Sequence, residues 1–213
     1  MNVVEQYNLT LQIEVLKEQS AETLARLCKL VDKSGNSDCV EALKVYSHMV
    51  NTELYLATSI QELDVLKSDM VKLENTIKVL LTQASHDVND GKDIKSNSGI
   101  PDIESYSSED FNKALERTID LLTFNKNISS TPHAVILGGQ SGAGKTTIHR
   151  VKMLESKGNY IVIDGDTYRA QHPYFRELQE KYGVDSVDYT KMFAGKMVEA
   201  VIDKLSSLKY NLI

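Results

Sequence analysis

The chain has 213 residues, enough for one large domain or two small ones, and its hydrophobic (41%) and charged (25%) fractions are those of ordinary globular proteins. A formal net charge of -6 disfavours nonspecific binding to nucleic acid. No apolar run approaches the roughly 20 residues needed to span a bilayer, and the N-terminus lacks the basic start and apolar core of a signal peptide. We therefore expect a cytoplasmic protein that binds neither nucleic acid nor membranes.

Residues 1–85 carry apolar side chains at helical spacing in three successive segments. The first set is Leu24, Leu27, Cys28 and Val31, the second is Cys39, Leu43, Tyr46 and Val50, and the third is Leu63, Leu66, Met70, Leu73, Ile77 and Leu80. The third set follows a capping box at residues 59–62. We predict a helical hairpin or three-helix bundle, which could pack only on its own core or could dock on the rest of the chain.

Two local features of this segment need an interpretation. Residues 9–13 alternate apolar and polar, so a strand is possible there, although we favour a helix. Cys28 and Cys39 lie in apolar helical surroundings, and we expect buried thiols in a reducing compartment rather than a disulfide or a metal site.

Residues 86–105 are polar with almost no apolar content, which predicts a flexible linker between two domains. The second domain, residues 106–213, then opens with a helix that follows the segment Ser107–Asp110.

A short apolar run at residues 133–137 predicts a buried strand, and a phosphate loop of the pattern G-x-x-x-x-G-K-S/T follows it. The residues that we expect to bind the nucleotide are Gly139, Gln140, Ser141, Gly142, Ala143, Gly144, Lys145, Thr146 and Thr147. The glycines allow consecutive backbone N–H groups to point at phosphate oxygens, and the following helix adds the positive end of its dipole. Lys145 would reach the β- and γ-phosphates, and the Thr146 hydroxyl would bind Mg²⁺.

A second apolar run at residues 160–163 ends in Asp164 and Asp166, close to where the phosphate loop would lie in a parallel sheet. Spacing alone leaves open which of the two aspartates is catalytic, and either could instead belong to a turn or a helix cap. Arg169, residues 171–173 and Arg176 follow in a loop, where such side chains are usually solvated.

The last predicted helix runs from near Ser186 to Leu208, and spacing leaves undecided whether Glu199 shares its apolar face. A third strand is predicted at residues 210–213. The expected fold is therefore α/β, a P-loop kinase-type parallel sheet that is incomplete at the C-terminus, preceded by a small all-α domain.

Three stretches of the second domain resemble the zeta toxin family: residues 137–147, residues 163–173 with the pattern Asp-x-Asp-x-x-x-x-Gln-His-Pro, and residues 194–199. The resemblance covers about residues 105–213. It implies a toxin of a toxin–antitoxin module that uses ATP and Mg²⁺ to phosphorylate the 3'-hydroxyl of the amino sugar of UDP-N-acetylglucosamine.

Carried over by position, the resemblance assigns Lys145 to the ATP phosphates and Thr146 to Mg²⁺. It makes Asp166 the catalytic base toward the sugar hydroxyl, and Glu199 an acidic residue of the substrate site. Family members continue into a Glu-Gly-Thr segment and later arginines that this sequence does not contain. The sequence thus resembles a C-terminally truncated member.

Zeta toxins are held inactive by a small helical antitoxin that obstructs the ATP site. By position and helicity, residues 1–85 resemble such an antitoxin fused in cis, so we expect an intramolecular contact, or else a separate antitoxin as the partner. Two alternatives stay open: a non-catalytic nucleotide-binding product or antitoxin-like regulator, and another small-molecule P-loop kinase.

Overall fold

The computed structural model describes residues 3–86, 102–140 and 144–213, which are mainly helical. In chain order the helices are α1 (Val3–Ser34), α2 (Ser37–His48), α3 (Leu54–Leu56), α4 (Ile60–His86), α5 (Ser108–Thr123), α6 (Lys145–Glu155), α7 (Gly165–Arg169), α8 (Phe175–Tyr182) and α9 (Ser186–Ser207). A π-helical turn, Met49–Glu53, joins α2 to α3, and a 3₁₀ turn, Gly183–Asp185, precedes α9.

Helices α1, α2 and α4 form a bundle around one apolar core, as predicted for residues 1–85. The core residues include those predicted from helical spacing; the most deeply buried are Leu9, Ile13, Leu27, Cys28, Cys39, Leu54 and Ile77. Residues 9–13 are helical, because they belong to one continuous helix of 32 residues. The helix α2 begins where the Asn36 side chain accepts hydrogen bonds from the backbone N–H groups of Asp38 and Cys39.

Both cysteines are buried free thiols, as expected from their surroundings. Burial raises the pKa of the Cys28 thiol to about 12, so this side chain is an un-ionised apolar group at neutral pH.

A second core is formed by α5, α7 and α9 around Phe193, which is fully buried. Its ring meets the rings of Tyr106, Phe111 and His172 at centroid distances of 5.0–5.6 Å, in edge-to-face geometry. Helix α5 begins at a capping box in which Ser107 and Asp110 exchange side-chain and backbone hydrogen bonds. Helix α9 has the bounds that the sequence predicted to within one residue.

The predicted parallel sheet is wrong for the described residues, which contain no strand. Two isolated parallel bridges, Ala134 to Leu212 and Ile161 to Leu212, are all that pairs the three apolar runs. Ladder-type hydrogen bonds accompany them, such as Val135 N–H to the Leu212 carbonyl at 2.9 Å. The second run is followed at once by helix α7, which begins directly after Asp164. The first run is not the buried strand that we predicted, because His133, Ala134 and Ile136 are exposed.

The two parts of the chain share a third apolar cluster. Tyr55, from α3, packs there with Met153, Val162 and Ile213, and all four side chains are buried. Thr52 also approaches Gly158 so closely that a Cβ atom at this glycine would lie 2.9 Å from the Thr52 methyl group. The helical bundle is therefore docked on the second part of the chain rather than packed only on itself.

The predicted linker falls largely on residues 87–101, which lie outside the described residues, so its flexibility and the domain boundary stay predictions. Among the helices that the structure describes, none combines the length and apolarity needed to cross a membrane.

Replacing Phe193 by Ala should lower the free energy of unfolding by about 3–5 kcal/mol, because it leaves a cavity among three aromatic rings. The matched control is Met192→Ala, since the neighbouring Met192 is 64% exposed. The control should stay within about 0.5 kcal/mol of the wild type in urea unfolding. Similar losses in the two variants would contradict the assignment of Phe193 to the core.

Candidate functional site

Helix α6 begins at the end of the phosphate-loop pattern. Gly144 adopts a left-handed conformation (φ 81°) as the N-cap and, as a glycine, has no side chain to cap the helix. The Lys145 ammonium donates hydrogen bonds to the carbonyl oxygens of Gly139 and Gln140, at 3.0 and 2.9 Å. Gly139, Gln140 and Thr147 are exposed. The predicted loop residues Ser141, Gly142 and Ala143 lie outside the described residues.

Helix α1 lies against this N-terminus through three polar side chains on one face. The Thr146 hydroxyl donates to Glu14 Oε1 at 3.1 Å, and the Arg150 guanidinium donates to Thr10 Oγ1 at 3.2 Å. Lys17 Nζ donates to Asp164 Oδ2 at 2.7 Å in an ion pair whose side chains are 11% and 35% exposed. Spacings of four and three residues place Thr10, Glu14 and Lys17 on one helical stripe, so the contact is a continuous polar seam.

The charges in this seam shift the protonation equilibria of the groups around them. Burial alone would lower the pKa of Lys17, but its attraction to Tyr55 and Asp164 outweighs burial and raises that pKa. For the carboxyl group of Asp164, burial alone would raise the pKa. The Lys17 ammonium and the Asp166 backbone N–H nevertheless hold that pKa below its ordinary value. Both groups are therefore charged at neutral pH.

Asp164 also organises the segment that carries the predicted catalytic base. As the N-cap of α7, it accepts a hydrogen bond on Oδ1 from the backbone N–H of Asp166, at 3.2 Å. The side chain of Asp166 is 85% exposed and forms an ion pair with Arg169 Nε at 3.0 Å. The turn-and-cap role considered for one of the two aspartates thus belongs to Asp164.

The second predicted substrate residue, Glu199, is exposed on α9, while Met197 and Val201 on the same helix are buried. Helices α7 and α9 pack closely, since a Cβ atom at Gly165 would lie 3.1 Å from Val198. Asp166 and Glu199 each follow one of these two contact residues in the sequence. The two carboxylates predicted to contact the acceptor substrate therefore both lie next to the contact between α7 and α9.

We predict a solvated loop at residues 171–173, and this prediction is wrong. Gln171 and His172 are buried, and the loop packs against helices α1 and α5. His172 is fully buried, and its Nδ1 accepts a hydrogen bond from the Tyr174 backbone N–H. Lys29 donates to the His172 carbonyl oxygen at 2.7 Å. Arg117 donates to Gln171 Oε1 at 2.6 Å and forms an ion pair with Asp32 of α1. Helix α1 thus holds this loop through a second set of polar contacts.

Sequence reasoning missed the contact residues that α1 contributes, namely Thr10, Glu14, Lys17, Lys29 and Asp32. Their helical spacing is also that of an ordinary solvated face, so no signal within the helix distinguished them. A small cavity of about 40 Å³ lies beside the Lys17–Asp164 pair, lined by both parts of the chain.

The free energy of unfolding should fall as the pH drops from about 6.5 toward 4, in part because of His149. Burial, reinforced by the positive charge of Lys17, lowers the pKa of His149 from 6.5 to about 4. Between these two pH values His149 therefore binds a proton in the unfolded chain but not in the folded chain. For this one residue the loss at about pH 5 is on the order of 1–2 kcal/mol.

Urea unfolding of the wild type and of His149→Gln over this range measures the effect. The variant should lose less stability on acidification, whereas at neutral pH and above the difference between the two proteins should be constant. Equal losses on acidification would show that the buried imidazole is not responsible. His172, whose pKa burial also lowers to about 4, remains in both proteins and contributes equally.

Comparison with known proteins finds a similar family for each part of the chain. A model of the zeta toxin family matches residues 118–213, and a model of the bacterial epsilon antitoxin matches residues 5–80. The toxin PezT of Streptococcus pneumoniae serotype 4 is 57% identical over 112 residues, which are 53% of this chain and 44% of that protein. The toxin zeta of Streptococcus agalactiae is 38% identical over 114 residues, 54% of this chain and 40% of that protein.

A solved chain from a study of the PezAT chromosomal toxin–antitoxin system of Streptococcus pneumoniae is 57% identical, with a TM-score of 0.51. The match covers 53% of this chain and 45% of that one. The chain therefore spans less than half the length of the relatives that it matches. The resemblance of the second part to zeta toxins and of the first part to a bacterial epsilon antitoxin is confirmed by these matches, although each family model covers less than half of the chain.

Proposed function

We propose that the chain is the toxin of a toxin–antitoxin system with its antitoxin fused in cis, and that its second part is an ATP-dependent kinase. The proposed acceptor is the 3'-hydroxyl of the amino sugar of UDP-N-acetylglucosamine. The observation that carries the proposal is the hydrogen bond from Thr146 to Glu14. Through it, the antitoxin-like helix occupies the hydroxyl that a phosphate loop offers to Mg²⁺.

The described residues at the start of α6 fit a nucleoside triphosphate. Gly144, the left-handed N-cap of α6, has no side chain to cap the helix, and the helix dipole favours an anion at this N-terminus. Lys145 would hold the β- and γ-phosphates, and Thr146 would bind Mg²⁺. Together they would stabilise the negative charge that develops during phosphoryl transfer.

The proposed acceptor side is formed by α7 and α9. Asp166 would accept the proton of the sugar hydroxyl as the general base, and its exposed carboxylate is within reach of a ligand from solvent. Glu199, also exposed, would bind the sugar nucleotide from the neighbouring helix. These roles come from the positions that both residues occupy in the zeta toxin motifs.

Restraint in cis follows from the contacts of α1. Glu14 and Lys17 bind Thr146 and Asp164, so the nucleotide cannot reach its metal-binding hydroxyl while this seam is closed. A tether of roughly 20 residues gives an effective concentration of about a millimolar. A contact with an intrinsic Kd near 10 µM would then be closed in about 99% of molecules.

Substituting Glu14 should increase nucleotide affinity, because the Thr146 hydroxyl is then released. The test compares binding of a non-hydrolysable ATP analogue with Mg²⁺ to the wild type, Glu14→Ala and the control Glu18→Ala, whose side chain is exposed one turn further along α1. Glu14→Ala should bind at least about tenfold tighter, and Glu18→Ala like the wild type. Adding Lys145→Ala should reverse the gain. A nucleotide affinity that responds to neither Glu14 nor Lys145 would exclude this site.

The catalytic assignment is tested by transfer of the γ-phosphate from ATP to UDP-N-acetylglucosamine in the Glu14→Ala background. Asp166→Asn should reduce the transfer rate by about 10²–10⁴-fold, since it keeps the shape of the side chain but removes the general base. Nucleotide affinity should change little. The matched control is Asp188→Asn, an exposed aspartate in the first turn of α9. Retention of the rate by Asp166→Asn would exclude Asp166 as the base.

A further inference from the structure

A second cavity lies between the two parts of the chain, with a volume of about 380 Å³. The second half of α1 forms most of its wall, and Ala170, Phe175 and Arg176 form the rest. It shares no residue with the phosphate loop or with the polar seam around Lys17. Its volume is in the range of sites that bind small ligands. Because both parts contribute to the wall, the cavity is complete only while α1 is docked.

The lining of this cavity is strongly positive, although the chain as a whole carries a formal net charge of -6. The positively charged residues are Arg26, Lys29 and Lys33 of α1 and Arg176 of α8, and the one carboxylate in the lining is that of Glu22. Such a local reversal of sign attracts anions from solution.

Three of the four cations have no carboxylate in an ion pair. Within the described part of the chain, the side chains of Lys33 and Arg176 form neither a hydrogen bond nor an ion pair, and both residues are exposed. The Lys29 ammonium donates to the carbonyl oxygens of His172 and Pro173, at 2.7 and 3.4 Å, and these acceptors carry no net charge.

Arg26 is the cation of the lining that has a carboxylate partner. It forms an ion pair with Glu74, a residue that also pairs with Lys78. If Arg26 is set aside as paired, three positive charges face the single carboxylate of Glu22. The excess of about two charges matches an anion that carries at least two negative charges.

The protonation of Lys29 reflects this excess. Burial lowers the pKa of Lys29, and the positive charges of Arg117, Arg176 and Lys33 lower it further. The carboxylate of Glu177 acts in the opposite direction without cancelling these effects. An anion in the cavity would reduce the repulsion among the cations and favour the charged form of Lys29.

We propose that this cavity binds a small, multiply charged phosphate anion of the diphosphate type, which connects α1 to α8. The guanidinium of Arg176 can bind two phosphate oxygens at once, and the ammonium groups of Lys29 and Lys33 add charge from the opposite wall. Inorganic pyrophosphate and the diphosphate of a nucleotide share this chemistry. The inference goes beyond the proposed kinase activity and does not depend on it.

The expected consequence is a tighter contact between the two parts of the chain. An anion that needs both walls binds the docked state far better than the undocked state. At a concentration of 100 times its Kd it favours docking about 100-fold.

The test titrates inorganic pyrophosphate into the full chain carrying Lys145→Ala, which removes the cation of the proposed nucleotide site. Isothermal calorimetry at constant ionic strength and without divalent ions measures the affinity. In this background Lys33→Gln and Arg176→Gln should each weaken binding at least about fivefold, because each removes a charged donor to the phosphate. Both side chains are exposed, so neither substitution removes a core contact.

The matched control is Lys67→Gln, which removes the same charge from an exposed position of α4. It should bind pyrophosphate like the Lys145→Ala background. Absence of binding to that background would overturn the proposal, as would equal affinities of the Lys33 and Lys67 variants or a loss confined to one wall of the cavity.

Repeating the titration with ADP distinguishes the two sources of a diphosphate. An affinity for ADP equal to or above that for pyrophosphate, and sensitive to Arg176→Gln, assigns the site to nucleoside diphosphates. A lower affinity assigns it to the inorganic anion.

The link to docking is measured by backbone hydrogen exchange in residues 171–174, where Lys29 contacts the loop. In the same Lys145→Ala background, exchange should be slower with millimolar pyrophosphate than with NaCl of equal ionic strength. Unchanged exchange would overturn the link to docking. Since these measurements are made without ATP and without Lys145, their failure is distinguishable from failure of the kinase proposal.

Discussion

The ion pair between Lys17 and Asp164 is the contact on which the docking of the two parts depends. Removing an ammonium and a carboxylate from water costs several kcal/mol each, and their attraction offsets this cost only when geometry and further hydrogen bonds are good. Here the separation is 2.7 Å, and Asp164 also accepts a backbone hydrogen bond. Such a pair contributes less to net stability than to specificity, because any other register of α1 would leave the buried Lys17 ammonium without its carboxylate partner.

The same carboxylate connects the interface to the proposed catalytic base. Helix α7 has five residues, too few to be stable alone, so its conformation depends on the Asp164 cap and on the close packing of Gly165 against Val198. Asp166 lies in the first turn of this short helix. The seam that covers Thr146 therefore also includes Asp164, which caps the helix of the proposed base, and one helix of the antitoxin-like part contacts both.

Much of the helical architecture could be predicted from the sequence, because capping and periodicity are local properties. The box at Ser107 and Asp110 and the bounds of α9 are examples. The parallel sheet could not, because an apolar run does not show how many of its residues pair. In the run 133–137 it did not show burial either, since Ile136 is 94% exposed. The runs at residues 133–137 and 160–163 each pair with Leu212 by a single bridge, and helix α7 begins directly after Asp164, which follows the second run.

In the candidate site, too, the local motifs could be predicted from the sequence, whereas the contacts between distant segments could not. The phosphate-loop pattern and the Asp-x-Asp-x-x-x-x-Gln-His-Pro pattern are contiguous in sequence, so they could be recognised and assigned to a family. The partners of these residues come from more than a hundred positions earlier, as between Glu14 and Thr146. In α1 a polar stripe such as Thr10, Glu14 and Lys17 has the spacing of a solvated face.

What distinguishes this stripe is burial. Lys17 is only 9% exposed, although lysine is almost never fully buried unless it is paired. The apolar stripe of α1 packs in its own bundle, whereas Lys17 lies over the Tyr55 ring and pairs with Asp164 of the other part of the chain. A buried lysine on the polar face of an amphipathic helix therefore indicates a second interface, and the acidic partner identifies where that interface lies: here, at Asp164, the N-cap of α7.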